Sequence, residues 1–184
     1  MTVLFYRRQA QSSPDEPPGL PAGLELRSWR PAKDGPPRQG DHRSENLAWR
    51  CLQRSGLFAT DDFEELTVWR AGRLVHRLVV TPRWLRFPFM APEDLQLGAL
   101  WTAPEIRRVG VARMVMAEAH RRHAAPGRWF WYVVEGGNAA SIGLAEASGY
   151  RLLGAGRRTR PLGLRALGQY RLESVTIPPP LSVR

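Results

Sequence analysis

The sequence predicts a single mixed α/β (α+β) sheet domain, and three observations carry that reading. β-forming runs recur along most of the chain, punctuated by proline and glycine. Between them lie stretches with apolar residues at helical spacing. Trp129–Val134 is a near-continuous apolar run bounded by Gly127 and by Gly136-Gly137, the pattern of a strand covered on both faces. With 184 residues, 43% hydrophobic and 24% charged, the chain suits one folded domain over residues 1–184, and no internal repeat interrupts it.

Each element follows from its local pattern. Thr2–Tyr6 reads as a short strand. Residues 9–23 and 31–41 are rich in proline and glycine and read as loops, and 177–184 as a tail. Leu24–Trp29 alternates apolar and charged residues as a strand does. From Ser44, a good N-cap, Leu47, Ala48, Cys51 and Leu52 recur at helical spacing until Gly56 stops the helix. Trp49 and Cys51 on that helix are assigned to packing. Phe63–Trp69 and Arg73–Val80 are joined by Ala71-Gly72 and predict a hairpin. Leu95–Thr102 forms a strand that stops before Pro104. Val111, Met114, Val115 and Ala119 line one side of a helix running to Ala125, closed by Pro126-Gly127. Asn138 caps a helix carrying Ile142 and Ala145 and ended by Gly149, and strands follow at Tyr150–Leu153 and Gln169–Val175.

Composition narrows the function. The formal net charge is +10, and Lys33 is the only lysine, so the surface attracts anions. Arginines are nevertheless spread from Arg7 to Arg184, and the densest run, Arg157-Arg158-Thr159-Arg160, is short and has no aromatic neighbour in sequence. That distribution argues against a nucleic-acid interface. No stretch approaches the roughly 20 apolar residues of a membrane span. Cys51 is the only cysteine, which excludes an intramolecular disulfide and a cysteine-rich metal site; no metal is expected, and the cytoplasm is the expected compartment.

The informative stretch is Leu95–Ala112: a strand, a turn containing Pro104, then Gly110 at the opening of a helix. A helix N-terminus offers unpaired N–H groups and the positive end of the dipole, so a phosphate docks there. Gly110 removes the side chain that would hold a pyrophosphate away, and Arg107 and Arg108 add charge beside it. The lysine of a Walker loop and the three glycines of a dinucleotide fingerprint are both missing.

Arg107-x-x-Gly110-x-Ala112, preceded by a strand and Thr102-x-Pro104, resembles the acyl-CoA motif of the Gcn5-related N-acetyltransferase (GNAT) superfamily. Asn138-x-x-Ser141 followed by Gly149-Tyr150 resembles the family's second signature, and the likeness, to bacterial members, covers Leu66 to Leu172. It implies a mixed, mostly antiparallel central sheet with flanking helices, whose fourth and fifth strands (Leu95–Thr102 and Trp129–Val134) splay apart. Pantetheine would lie in the gap on backbone at Leu100, Trp101 and Thr102. The pyrophosphate would sit beside Arg107 on N–H groups of Arg108, Val109, Gly110, Val111, Ala112 and Arg113. Asn138 would reach the pantetheine arm, and Ser141 would lie near the CoA. The implied reaction is direct transfer of an acetyl or other acyl group from CoA to a primary amine, with backbone N–H near Leu100 polarising the thioester carbonyl.

One departure matters. Many relatives carry a tyrosine seven residues after the asparagine to protonate the leaving thiolate, and here Ala145 stands there. Tyr150 and Tyr132 are the available replacements. Glu135, Asp94 and His76 are the candidate bases, and each also has a structural reading as a cap, a loop carboxylate or a packed strand residue. Trp84, Phe87, Phe89 and Met90 form either core or an acceptor wall, with core the stronger expectation. The pattern from Leu74 to Gln96 also resembles members associated with surface-polysaccharide biosynthesis, which points to a small-molecule amine, an amino sugar or a nucleotide-linked amino sugar, as acceptor. Protein N-acetylation and a catalytically silent acyl-CoA-binding module are the alternatives, and a homodimer is left open.

Overall fold

A computed structural model describes residues 2–11, 19–34, 49, 51–159 and 168–175. Its strands are β1 (Thr2–Gln9), β2 (Leu24–Trp29), β3 (Glu64–Arg70), β4 (Arg73–Pro82), β5 (Leu95–Thr102), β6 (Trp129–Glu135), β7 (Arg151–Arg158) and β8 (Tyr170–Val175). They form one sheet in the order β2-β3-β4-β5-β6-β1-β7-β8. Every neighbouring pair is antiparallel except β5 and β6. Two helices lie wholly within the described residues, α1 (Val111–Arg122) and α2 (Ala139–Ala147), with a 3₁₀ turn at Pro104–Ile106 before α1. Among the described residues no helix is long and apolar enough to cross a membrane.

Strand alternation sorts the core into two faces. Leu66, Leu78, Val80, Leu95, Leu97, Phe130 and Tyr132 pack with Val111, Val115, Met116 and Ala119 of α1. The opposite face carries Phe63 and Val79 beside Trp29 and Phe58, and Trp131 beside Phe87 and Met90. Of the aromatic stretch before β5, Phe87 and Met90 are core and Trp84 and Phe89 pack against them half-buried, while Trp84 and Phe87 also line a cavity. The hairpin turn at Ala71-Gly72 has positive φ at both residues, 47° and 75°, the geometry that matches the twist of β3 and β4.

A buried carboxylate ties three elements. Glu64 on β3 is fully buried and accepts from Ser28 Oγ (2.5 Å), Arg30 Nη2 (2.9 Å) and Arg122 Nη1 (2.9 Å), and it meets His123 Nε2 at 2.6 Å. Burial alone would raise its pKa, but the bonds from His123, Arg30 and Ser28 outweigh it and hold the carboxyl well below its ordinary value. The strand edge and the C-terminus of α1 are clamped through this one group.

The structure departs from the sequence expectations in several places. β1 continues over Arg7 and Arg8, because Arg7 lies over Trp129 at 4.3 Å and Arg8 donates to the Ser148 carbonyl at 2.7 Å. β1 also inserts between β6 and β7, which local pattern does not reveal. β7 runs on to Arg158 instead of stopping at Leu153. Its glycines pass so close to β8 that a Cβ on Gly154 or Gly156 would lie 1.7 Å from Ser174 O or 1.9 Å from Arg171 O. α1 ends at Arg122, with His123 at the C-cap, three residues short of Ala125. Residues 51–54 are helical and Trp49 packs on Phe58 and Phe63, but Cys51 is exposed and has no packing role. The start of that helix at Ser44–Ala48, the Pro/Gly-rich stretches 12–18 and 35–41, and the tail 177–184 lie outside the described residues.

Candidate active site

β5 and β6 run parallel for only three register pairs, Leu95↔Phe130, Gln96↔Trp131 and Leu97↔Tyr132, and then part. The cause lies in β5. Ala99 takes a positive φ of 47°, and neither Ala99 nor Leu100 has a register partner in β4 or β6. This bulge turns Leu100 and Thr102 towards the helices and leaves the backbone at Leu100 outside the ladder.

Beyond the fork, on the α1 face, opens a cleft of about 700 Å³. Leu100, Trp101 and Thr102 form its strand side, and Ala140, Ser141 and Leu144 of α2 close it. Its third wall is the mouth of α1. Gly110 is the N-cap in the left-handed region (φ 86°), and no side chain caps the helix there. The first-turn N–H groups of α1 therefore face the cleft without an intrahelical partner. Arg108 also has positive φ (64°), and Arg107 Nε donates to the Thr102 carbonyl at 3.0 Å, pinning the loop to the strand. Two of the three non-glycine residues with positive φ among those described are Arg108, which lines the cleft, and Ala99, next to Leu100 at its strand side. Such strain is characteristic of functional sites.

Three solved structures share this architecture at low identity. A Drosophila protein is 19% identical, with a TM-score of 0.55 over 84% of this chain and 48% of that one. A GCN5-related N-acetyltransferase from Sphaerobacter thermophilus is 14% identical, with a TM-score of 0.55 over 82% and 48%. A tandem GNAT protein from the clavulanic acid biosynthesis pathway is 14% identical, with a TM-score of 0.56 over 82% and 50%. The chain has the GNAT fold. It spans about half the length of each of these three structures. No family model matches the sequence, and no curated protein does.

Set in the GNAT fold, the expected CoA-site residues fall largely together. Leu100, Trp101, Thr102, Arg107, Arg108, Gly110, Val111, Ala112, Arg113 and Ser141 all line the cleft. Val109 and Asn138 do not line it. Val109 is exposed at its rim, and Asn138 spends its Oδ1 capping α2 by accepting Ser141 N–H at 3.1 Å. Ile106, Ala140 and Leu144 complete the lining and were not expected. Their signal was present in the apolar spacing on the faces that carry Gly110 and Ser141.

The titratable candidates separate clearly. Tyr132, opposite Leu97 at the last position where β6 pairs with β5, is buried; burial raises its pKa, partly offset by Ser141, so it stays protonated. Tyr150 is fully enclosed with its hydroxyl 2.8 Å from His120 Nε2, and neither it nor Tyr132 lines the cleft. Asp94 is likewise a strand lock instead of a base. It is buried and accepts from Ala91 N–H (3.1 Å), Trp129 N–H (2.9 Å) and Trp131 Nε1 (2.8 Å), holding the starts of β5 and β6 together. His76 is buried on β4 with Nδ1 2.8 Å from Thr102 Oγ1, and burial pushes its pKa down to about 4. It is neutral near pH 7 and acts on Thr102, not on solvent. Glu135 remains exposed at the end of β6, and by alternation it emerges on the same face as Val133.

That second face holds another cavity of about 180 Å³, on the far side of the bulge. Gly98 and Ala99 form its floor with Val133, and Trp84, Arg86, Phe87 and Tyr170 rise around it. The fork is thus a thin wall, with Ala99 facing one cavity and Leu100 the other. Among the described residues no group of three or more His, Cys, Asp or Glu side chains is placed to hold a metal.

Proposed function

We propose that the protein is an acyl-CoA-dependent N-acyltransferase that moves an acetyl or related acyl group directly from CoA to a primary amine on a small molecule. The observation that carries this reading is the juxtaposition of the parted β5 and β6 strands with the uncapped mouth of α1 at Gly110. The open N–H groups of α1 and the guanidinium of Arg108 suit a diphosphate. The apolar groove between Leu100 and Leu144 suits a pantetheine arm. The freed backbone at Leu100 suits polarisation of a thioester carbonyl.

In this reading the amine attacks the carbonyl carbon from the Ala99 side of the wall. Glu135 takes the proton that the amine loses. The C–S bond of the tetrahedral adduct then breaks, and the sulfur leaves on the Tyr132–Ser141 side. Tyr132, kept protonated by burial, supplies the proton that Ala145 lacks the chemistry to supply. Positioning and water exclusion by Leu100, Thr102 and Leu144 provide the remainder.

Calorimetric titration with acetyl-CoA and competition by free CoA test the cleft, and CoA release against a panel of amines tests the transfer. Saturable binding with turnover on a small amine is the expected result, and Glu135→Gln lowers kcat/KM about 10²-fold. Absence of heat from acetyl-CoA overturns the assignment. The buried alanine at position 145 favours one second reading, a silent acyl-CoA-binding module, which predicts tight acetyl-CoA binding without turnover on any amine.

A further inference from the structure

The cavity on the Ala99 side of the fork carries a guanidinium and an indole N–H, and no carboxylate among the described residues that line it. Arg86 lays its guanidinium over the Trp84 ring at 4.8 Å, and Arg86 O accepts Tyr170 N–H at 2.9 Å, so both its ends are fixed. Arg86 Nε and Trp84 Nε1 are buried and have no hydrogen-bond partner among the described residues. A second guanidinium, Arg158, acts electrostatically on Arg86 and itself lies over the Tyr170 ring at 5.5 Å. No residue lining the cavity among those described is acidic.

Buried Arg86 Nε and Trp84 Nε1 donors with no partner among the described residues, in a cavity that none of those residues lines with a carboxylate, are an arrangement that an entering anion satisfies. Burial and Arg158 both press on the charge of Arg86, with Tyr170 offsetting part. The cavity that Arg86 lines also reaches Ala99 at the fork. Its volume of about 180 Å³ holds about six water molecules. An anionic group at the Arg86 end and an amine at the Ala99 end therefore belong to one small molecule.

We propose that the acceptor is a small amine bearing an anionic group, a carboxylate or a phosphate, which Arg86 and the indole N–H of Trp84 bind while the amine lies at the fork. This rests on the acyltransferase reading and narrows its substrate class. The volume favours a compact acid over a nucleotide-linked sugar.

The test is CoA release from acetyl-CoA with matched amines: glycine against glycinamide, β-alanine against its amide, phosphoethanolamine against ethanolamine, and glucosamine 6-phosphate against glucosamine. The expected result is at least a tenfold higher kcat/KM for the acidic member of one or more pairs. Whether the preferred pairs are carboxylates or phosphates identifies the source of the charge. Arg86→Gln abolishes the preference through KM while calorimetry shows unchanged acetyl-CoA affinity, and Arg86→Lys, which keeps the charge, restores part of it. Equal or better turnover of the neutral members, or a preference that survives Arg86→Gln, overturns the proposal and leaves the acyltransferase reading standing. If no amine turns over, that reading fails, and the CoA-saturated protein is titrated with glycine, β-alanine and phosphoethanolamine. Heat lost on Arg86→Gln then supports the anion site, and no heat from any of the three overturns it.

Discussion

Tyr132 pairs with Leu97 at the last position where β6 and β5 run together. The strand therefore places a hydroxyl whose pKa burial raises beside the point where the sheet opens. Tyr132→Phe is expected to lower kcat about 10²-fold, the size of a lost general acid, with acetyl-CoA affinity unchanged by calorimetry. Tyr150→Phe loses its bond to His120, costs about 1 kcal/mol of stability in urea unfolding, and leaves kcat unaltered.

Gly110 offers a test of the helix mouth. Its φ of 86° is strained for any residue with a Cβ, although a Cβ would meet only Met114 Cε at an ordinary 3.5 Å. The cost of Gly110→Ala is thus conformational, about 1–2 kcal/mol. Acetyl-CoA Kd is expected to rise about tenfold, because the N–H groups of the first turn tilt away from the cleft.

Two enclosed histidines set the acid limb of stability. Burial pushes His76 down to about 4, and burial with Arg8 nearby pushes His120 down to about 3. The unfolded chain binds these protons near 6.5 and the folded chain does not, so their contribution is complete above 6.5 and is lost as pH falls towards the folded values. Each adds up to about 1.4 kcal/mol of lost stability per pH unit in that window. Urea unfolding between pH 7.5 and 5 is expected to show this slope, and His120→Gln to reduce it by about half.

Glu64 works in the opposite range. Its folded pKa is depressed from 4.5, so the stability it confers is present above 4.5 and is lost as pH falls through the folded value. Glu64→Gln leaves Arg30, Arg122 and His123 without their shared acceptor and is expected to cost about 3–5 kcal/mol at pH 7. The gap between wild type and variant narrows below 4.5, which thermal melts at low pH would register.

The sequence by itself determined the elements and one wall of the site. Alternation in Leu24–Trp29, the apolar run of Trp129–Val134, the Ala71-Gly72 turn and the glycine opening α1 are local signals, and local backbone preference suffices to read them. The residues from Leu100 to Arg113 that line the cleft were legible as one group for the same reason, since one strand-turn-helix unit supplies most of them. Tertiary structure alone decided the rest. β1 enters the sheet between β6 and β7 by hydrogen bonds to strands more than a hundred residues away, which no window of sequence contains. The choice between Tyr132 and Tyr150, and the demotion of Asp94 and His76, depended on which partner each polar atom meets once buried. Trp84, Arg86 and Tyr170 line one cavity only because the loop before β5 and the start of β8 fold onto the same face. Charge and burial act through space, and the chain's order does not record that distance.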